Sequence, residues 1–163
     1  MKIFPEYSTP YVLFDKSIIK QNVNLFEKGL PGVQIRYAMK SNPYKELCEE
    51  VYKNGAGFEI ASVGELEVLK SIGVPAKKIL FSAPIKLVSH IKQVSEYGVK
   101  EYIVDCIEEV DKLAEHAPEA KVMVRVEVDE DGSIFSLKDK FGAYDEQVLP
   151  IFHRIVKHNL EPL

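Results

Sequence analysis

The chain has 163 residues, of which 46% are hydrophobic and 28% charged, the composition of an ordinary soluble domain. A formal net charge of −4 argues against nucleic acid as a partner, and no apolar stretch approaches the roughly 20 residues of a membrane span. Cys48, Cys106 and the four histidines show no metal-ligand spacing, and the N-terminus lacks the apolar core of a signal peptide. We therefore predict reduced thiols, no metal site, no membrane partner and a cytoplasmic location.

Strand-like and helix-like segments alternate along the chain. An apolar run at 11–14 predicts an initial strand, and the helix after it carries Ile19, Val23, Phe26 and Leu30 at helical spacing. Beyond residue 30, five further strand-like runs are separated by helical segments. They are 35–39, 58–61, 79–81, 102–104 and 122–128.

The five later runs recur at a constant step. They end at Lys40, Ser62, Ala83, Asp105 and Glu127, and the intervals are 22, 21, 22 and 22 residues. This step suits one strand plus one helix, and such alternation implies a parallel sheet. Without a Gly-rich nucleotide fingerprint, the repeat favours a (β/α) barrel over a doubly wound sheet.

A complete eight-fold barrel needs about 250 residues. The chain is therefore predicted to be α/β, an incomplete TIM-type (β/α) barrel with about five parallel strands. We expect residues 1–163 to form a single partial domain that ends just before a sixth strand. An open side of this kind leaves strand edges and apolar surface unpaired.

Lys40 is the leading candidate for a functional residue. It closes the first barrel strand and is followed by Ser41-Asn42-Pro43, in which Asn42 can cap the next helix. Sites in α/β folds are built at the carboxyl ends of strands, and a partly desolvated lysine there can form a Schiff base. Taken alone, a lysine at a strand end is most simply a solvated surface residue. The same simple interpretation makes Ser62 and Glu65 a helix cap and Arg125 half of an ion pair.

Several motifs together resemble one family. They are TPYV (9–12), YAMKSNP (37–43), GFEIAS (57–62), GEL (64–66), GVP (73–75), SAPIK (82–86) and KFGA (140–143). In this order they are similar to the N-terminal barrel part of the fold-type III pyridoxal-phosphate decarboxylases. That family includes ornithine, lysine, arginine, diaminopimelate and carboxynorspermidine decarboxylases. The SAPIK and KFG elements look more like the ornithine/lysine branch.

The resemblance implies a set of site residues. Lys40 is expected to carry the Schiff base with pyridoxal 5′-phosphate, as the catalytic lysine. Glu59 stands where the family usually has Asp near the Schiff-base end of the cofactor, and Arg125 matches an arginine beside it. We expect Glu59 and Arg125 to hold each other in place. The segment 129–139 matches a mobile loop over the active site, and Lys140 matches a position near the family's dimer interface.

The resemblance also implies that much of the site lies past residue 163. The family's ring-stacking histidine, Gly-rich phosphate loop, acid at the pyridine nitrogen and β-domain residues all fall there. The strand at 9–14 normally joins that β-domain. We therefore expect the N-terminal portion of a decarboxylase for a basic amino acid such as ornithine or lysine, inactive alone. Its expected partners are the amino-acid substrate and a second copy or a complementary C-terminal half.

Other hypotheses remain open from the sequence. The chain can be a non-catalytic docking or regulatory module, or one chain of a split decarboxylase, since unpaired edges and the Lys140 region offer a docking surface. It can also be a fragment without activity of its own. A racemase on the same fold matches the motifs less well.

Overall fold

Parallel strands and helices alternate along the chain in the computed structural model, which describes residues 7–8, 10–128 and 140–163. The strands are β1 (Arg36–Ala38), β2 (Gly57–Ile60), β3 (Ile79–Phe81), β4 (Glu101–Val104), β5 (Lys121–Val124) and β6 (Glu161–Pro162). The helices are α1 (Lys16–Gly29), α2 (Lys45–Lys53), α3 (Val63–Ser71), α4 (Val88–Glu96), α5 (Ile107–His116) and α6 (Asp145–Lys157). Short 3₁₀ turns lie at Met39–Ser41 and Ala76–Lys78. None of the described helices is long and apolar enough to cross a membrane.

The six strands form one sheet in which each pairs in parallel with the next along the chain. One face carries the large side chains that pack under the helices, including Phe58, Ile60, Phe81 and Tyr102, all fully buried. The inner faces of the helices supply the other side of this core. Their buried members include Val51, Leu66, Leu69, Ile91, Val94, Val110, Leu113, Ile151 and Ile155. The alternating parallel architecture predicted from the repeat is confirmed.

Local caps explain where the helices begin. Before α3, Ser62 Oγ accepts from the backbone N–H of Glu65 at 3.4 Å, and the Glu65 carboxylate accepts from the N–H of Ala61 at 2.6 Å. This is the predicted cap. Before α2 the outcome differs, because the N-cap residue is Tyr44 and no side chain caps the helix. Asn42 instead accepts from the N–H of Tyr44 at 3.0 Å and closes the turn ahead of the helix.

The second face of the sheet is concave. Arg36 of β1 and Glu101 of β4 form an ion pair with Nη2 and Oε2 2.5 Å apart, although β2 and β3 lie between their strands. Strands in a sheet are spaced by about 4.8 Å, so a flat sheet would hold β1 and β4 too far apart for this contact. The curvature is that of a barrel wall, open between β1 and β6.

The expected strand at 11–14 is not formed. These residues have no regular secondary structure, and Tyr11 is 38% exposed. A strand needs a neighbour to bond its backbone, and no other segment of the described chain pairs with this run. The β-propensity of Tyr11 and Val12 is therefore insufficient on its own.

We expected the chain to end just before a sixth strand, and this expectation is wrong. Glu161–Pro162 forms β6, where the N–H of Leu163 donates to Val122 O at 3.0 Å. Asn159 adopts a positive φ of 58° and turns the chain out of α6 toward the sheet. A proline is tolerated in an edge strand, where its missing donor faces away from the sheet.

The open edge beside β1 carries an apolar groove. A cavity of about 580 Å³ lies between α1, α2 and β1, and its lining includes Ile19, Val23, Phe26 and Leu30. Of these predicted core residues of α1, only Val23 is buried, while Phe26 and Leu30 stay exposed. We name this cavity the β1 groove. It is the unpaired apolar surface expected of an incomplete barrel.

Candidate functional site

Lys40 lies in the 3₁₀ turn that follows β1, and its side chain is exposed. The turn is fixed on both sides of the lysine, because Met39 is fully buried and Ser41 Oγ donates to Ala38 O at 2.8 Å. Tyr37 Oη adds a bond to Asn42 O at 3.1 Å. The amine therefore projects from a rigid turn at the carboxyl edge of the sheet, where it is accessible to a ligand.

Glu59 lies on β2, paired in register with Ala38 of β1, and is half-buried. Its carboxylate accepts from Ser82 Oγ, with Oε1 2.7 Å from the hydroxyl oxygen. The Ser82 N–H in turn donates to Ile60 O at 2.9 Å, which extends the β2–β3 ladder by one residue. Ser82 thus sets the direction of the Glu59 carboxylate. We missed this role of Ser82 in the sequence. Its position two residues after Leu80, which pairs with Glu59, places it on the same face of the sheet as Glu59.

Arg125 directly follows β5 and is partly buried. Its N–H donates to Val104 O at 2.8 Å, and its guanidinium lies over the ring of Phe141, 5.4 Å from the centroid. The predicted pairing of Arg125 with Glu59 is wrong. No ion pair joins these two described residues, because the arginine stacks on Phe141 and the carboxylate is held by Ser82.

Gly142 explains why the KFG motif needs its glycine. Its φ of 116° lies in the region that favours glycine, and a Cβ there would meet the backbone N of Glu127 at 2.7 Å. The close approach lets Ala143 bond both Arg125 O and the Glu127 N–H. The Gly142 N–H donates to Asp105 Oδ2 at 3.2 Å, which ties this segment to the end of β4. The preceding segment 129–139, predicted as a loop over the site, lies outside the described residues.

A buried charged cluster lies at the same edge of the sheet and was missed from the sequence. The side chain of Lys86, in the segment after β3, is 0% exposed and lies 3.8 Å from the Glu109 carboxylate of α5. Lys112 pairs with the same carboxylate and donates to Lys86 O at 2.6 Å. Burial lowers the pKa of Lys86 to about 8, and the opposite charge of Glu109 partly offsets this. We call these three residues the Lys86 cluster.

Lys40, Glu59 and Arg125 all lie at the carboxyl ends of strands around the concave face. This edge supplies an accessible amine, an oriented carboxylate and a guanidinium. The set fits the chemistry of pyridoxal phosphate, which carries an aldehyde, a ring nitrogen and a phosphate dianion. Within the described ranges no group of three or more acidic, histidine or cysteine side chains is arranged to hold a metal ion.

The chain resembles curated decarboxylases in sequence. It is 32% identical over 143 residues to the lysine/ornithine decarboxylase of Selenomonas ruminantium, covering 88% of this chain and 36% of that protein. It is 30% identical over 139 residues to the ornithine decarboxylase of Schizosaccharomyces pombe, covering 85% and 32% respectively. A further relative, antizyme inhibitor 2 of Xenopus laevis, is 35% identical over 118 residues, covering 72% and 25%. The chain thus spans about a third or less of the length of these relatives.

Solved structures show the same relationship. The lysine/ornithine decarboxylase of Vibrio vulnificus complexed with putrescine superposes with a TM-score of 0.85 at 29% identity, covering 96% of this chain and 41% of that one. The structure of SrLDC with PLP and cadaverine gives a TM-score of 0.86 at 29% identity, covering 95% and 39%. A model of the pyridoxal-binding domain of pyridoxal-dependent decarboxylases matches residues 16–161. The chain therefore belongs to the pyridoxal-dependent decarboxylase family and represents the N-terminal part of its barrel.

Proposed function

We propose that this chain is the lysine-bearing N-terminal part of a pyridoxal-phosphate-dependent decarboxylase acting on a basic amino acid such as ornithine or lysine. The observation that carries the proposal is the placement of Lys40 on a rigid turn at the carboxyl edge of the sheet, with its amine exposed. Complexes of related enzymes with putrescine and cadaverine support a diamine product, and hence a substrate with a terminal amine. The assignment of residues 1–163 to a single cofactor-binding domain belongs to the same proposal.

Each residue has a distinct task in this proposal. Bound pyridoxal phosphate supplies an electron-accepting ring that takes up the electron pair left when carbon dioxide departs. Lys40 Nζ holds the cofactor covalently, and the turn from Met39 to Ser41 orients that amine. Glu59, fixed by Ser82, supplies negative charge from β2, the strand next to the one that Lys40 follows. Arg125, supported by Phe141, places positive charge at the opposite side of the concave face.

Covalent trapping tests the proposal directly. The purified chain is mixed with pyridoxal phosphate and reduced with borohydride, and the modified residue is mapped by peptide mass spectrometry. We expect a stoichiometric adduct confined to Lys40. Scattered labelling over surface lysines, or none, would contradict the assignment of Lys40.

The chain alone is expected to have little or no decarboxylase activity. The described residues leave the sheet open between β1 and β6, so one side of the concave face is not enclosed. Decarboxylation depends on water exclusion and on groups around the whole cofactor. Measurable turnover of ornithine, lysine or arginine by the pure chain would overturn this expectation.

A second candidate function is docking onto another polypeptide, as a regulatory module or as one chain of a split decarboxylase. The β1 groove favours it, because about 580 Å³ of apolar cavity lies directly beside an edge of β1 that no described strand pairs with. The similarity to antizyme inhibitor 2 also supports it, because that relative is named as an inhibitor and not as an enzyme. Pull-down with a separately encoded C-terminal half of a homologous decarboxylase distinguishes this candidate from simple self-association.

We propose a homo-oligomer in the absence of such a half, because exposed strand edges favour association. Sedimentation of the pure chain tests this, and a clean monomer would contradict it. A cytoplasmic location is part of the proposal, supported by two free cysteines in the described structure.

A further inference from the structure

The Lys86 cluster surrounds the loop that carries Ser82, and Ser82 orients Glu59 at the candidate site. The loop runs from the end of β3 to the start of α4, residues 82–87, and includes Ala83 and Pro84. Ser82, at the start of this loop, bonds the Glu59 carboxylate. Lys86, near its end, has a side chain with 0% exposure. The question is what keeps this loop in one conformation.

Lys86 holds the loop through several bonds at once. Its Nζ donates to Ile103 O of β4 at 2.5 Å and to Pro84 O at 3.2 Å, so one ammonium joins the loop to the neighbouring strand. The ammonium also lies over the ring of Phe81, 5.8 Å from its centroid. These contacts satisfy two carbonyl groups that otherwise need water.

Helix α5 holds the same loop from the other side. The Glu109 carboxylate accepts from the backbone N–H of Lys86 at 3.2 Å, and Lys112 Nζ donates to Lys86 O at 2.6 Å. Glu109 is itself 3% exposed and pairs with both lysines. Side chain and backbone of Lys86 are thus bonded to β4, to α5 and to its own loop.

We propose that Lys86 is a positioning residue for the cofactor site, fixing the loop from Ser82 to Leu87 so that Ser82 directs the Glu59 carboxylate toward Lys40. The inference rests on the proposed function and adds to it a residue that does not touch the cofactor. A buried ion pair is weak evidence of stabilisation, since an apolar replacement of similar volume is often neutral in overall stability. An apolar substitution of Lys86 can therefore test its role in positioning without a large change in stability.

The test compares Lys86→Met with Lys92→Met, an exposed lysine of α4. In the cofactor-free chain, amide hydrogen exchange of the segment 82–87 is measured by mass spectrometry. We expect exchange on the order of tenfold faster in Lys86→Met, because a charge-assisted bond that closes the loop is lost, and no change in Lys92→Met. Unchanged exchange in Lys86→Met would overturn the proposal. If that variant fails to fold, Lys112→Met is used instead. It removes the bond to Lys86 O and the ion pair with Glu109 but keeps Lys86 in place, and it is expected to give a smaller acceleration at the same segment.

A second readout follows the cofactor. The absorption spectrum of bound pyridoxal phosphate is recorded for the native chain, Lys86→Met and Glu59→Gln. We expect Lys86→Met to shift the absorption maximum in the same direction as Glu59→Gln. In the proposal Glu59→Gln removes the charge of the carboxylate, and Lys86→Met loosens the loop whose Ser82 directs that carboxylate. A reduced amplitude without a shift would indicate a merely structural role and overturn the proposal. If the native chain takes up no pyridoxal phosphate at Lys40, the proposed function fails, and the exchange experiment alone decides whether Lys86 fixes the loop.

Discussion

Two lysines at the same edge of the sheet have opposite surroundings. Lys40 follows β1 on a tight turn and is exposed, whereas Lys86 follows β3 and has a side chain with no exposure at all. Both come after a strand in the same β/α repeat, so the repeat itself does not decide their roles. What differs is the number of protein groups around each amine: the Lys86 ammonium has two carbonyls, a carboxylate and an aromatic ring nearby. An accessible amine can react with a ligand, while an enclosed one can only bond the protein groups around it.

The largest expected effect concerns the accessible lysine. Lys40→Ala is predicted to abolish the borohydride-trapped pyridoxal-phosphate adduct, because no other amine lies on that turn. Lys45→Ala, an exposed lysine in the first turn of α2, is the matched control and should keep the adduct at residue 40. Peptide mass spectrometry measures both. An adduct that persists at native yield in Lys40→Ala would remove the contrast between the two lysines.

The next effect concerns the carboxylate beside the enclosed lysine. Glu109→Ala leaves a buried ammonium without its counter-charge and is expected to lower the free energy of unfolding by about 3–5 kcal/mol. Glu108→Ala, one residue earlier on the exposed side of α5, should change it by less than about 0.5 kcal/mol. Urea denaturation compares them. Equal, small losses in both variants would mean that Glu109 does not stabilise the cluster.

The enclosed lysine should also give stability an unusual dependence on pH. The pKa of Lys86 is lowered by burial from 10.5 to about 8, so between these values the unfolded chain binds the proton that the folded chain has lost. Stability is therefore expected to rise with pH in this window, by up to about 1.4 kcal/mol per pH unit. Burial raises the pKa of the Cys48 thiol to about 11, which opposes the rise above pH 9.

Comparison with Lys86→Met isolates this effect, because Cys48 is present in both proteins. The difference in free energy of unfolding between native and variant should shift in favour of the native chain as pH rises from 7 to 9.5. Urea titrations at four pH values measure it. Parallel curves would show that Lys86 does not titrate in this range.

The smallest effect joins the two regions. Ser82→Ala removes the hydroxyl that donates to Glu59 and is expected to cost about 0.5–1.5 kcal/mol of stability while leaving Lys40 labelled. Ser89→Ala, on the exposed surface of α4, is the control and should cost less. Thermal denaturation and adduct mapping measure the two consequences. Loss of the Lys40 adduct in Ser82→Ala would show that this serine does more than orient Glu59.

The order of elements was predictable because it depends on local signals. The recurring strand-like runs and the cap formed by Ser62 and Glu65 follow from residues a few positions apart. The position of Lys40 after a strand belongs to the same class of signal. Such patterns indicate which segments are strands or helices, although the run predicted at 122–128 is a strand only at Lys121–Val124.

Apart from the cap expected from Asn42, the errors involve contacts between distant segments. The run at 11–14 has strand propensity but no described neighbour, and the pairing of Glu161 with β5 depends on a turn at Asn159. The burial of Lys86 depends on β4 and α5, which lie 17 to 26 residues away. Arg125 pairs with an aromatic ring after the segment 129–139 instead of with Glu59. The spacing of residues within one segment does not indicate which distant segment it will contact.

The order of strands in the sheet also bears on how the chain can be made. Each strand pairs with the strand that precedes it in the sequence, so every new β/α unit can add to a sheet that already exists when it leaves the ribosome. The ion pair between Arg36 and Glu101 is an exception, since it waits for 65 further residues to be synthesised. Until β4 emerges Arg36 has no partner in that strand, so this ion pair cannot hold the curvature of the sheet during the synthesis of β1, β2 and β3.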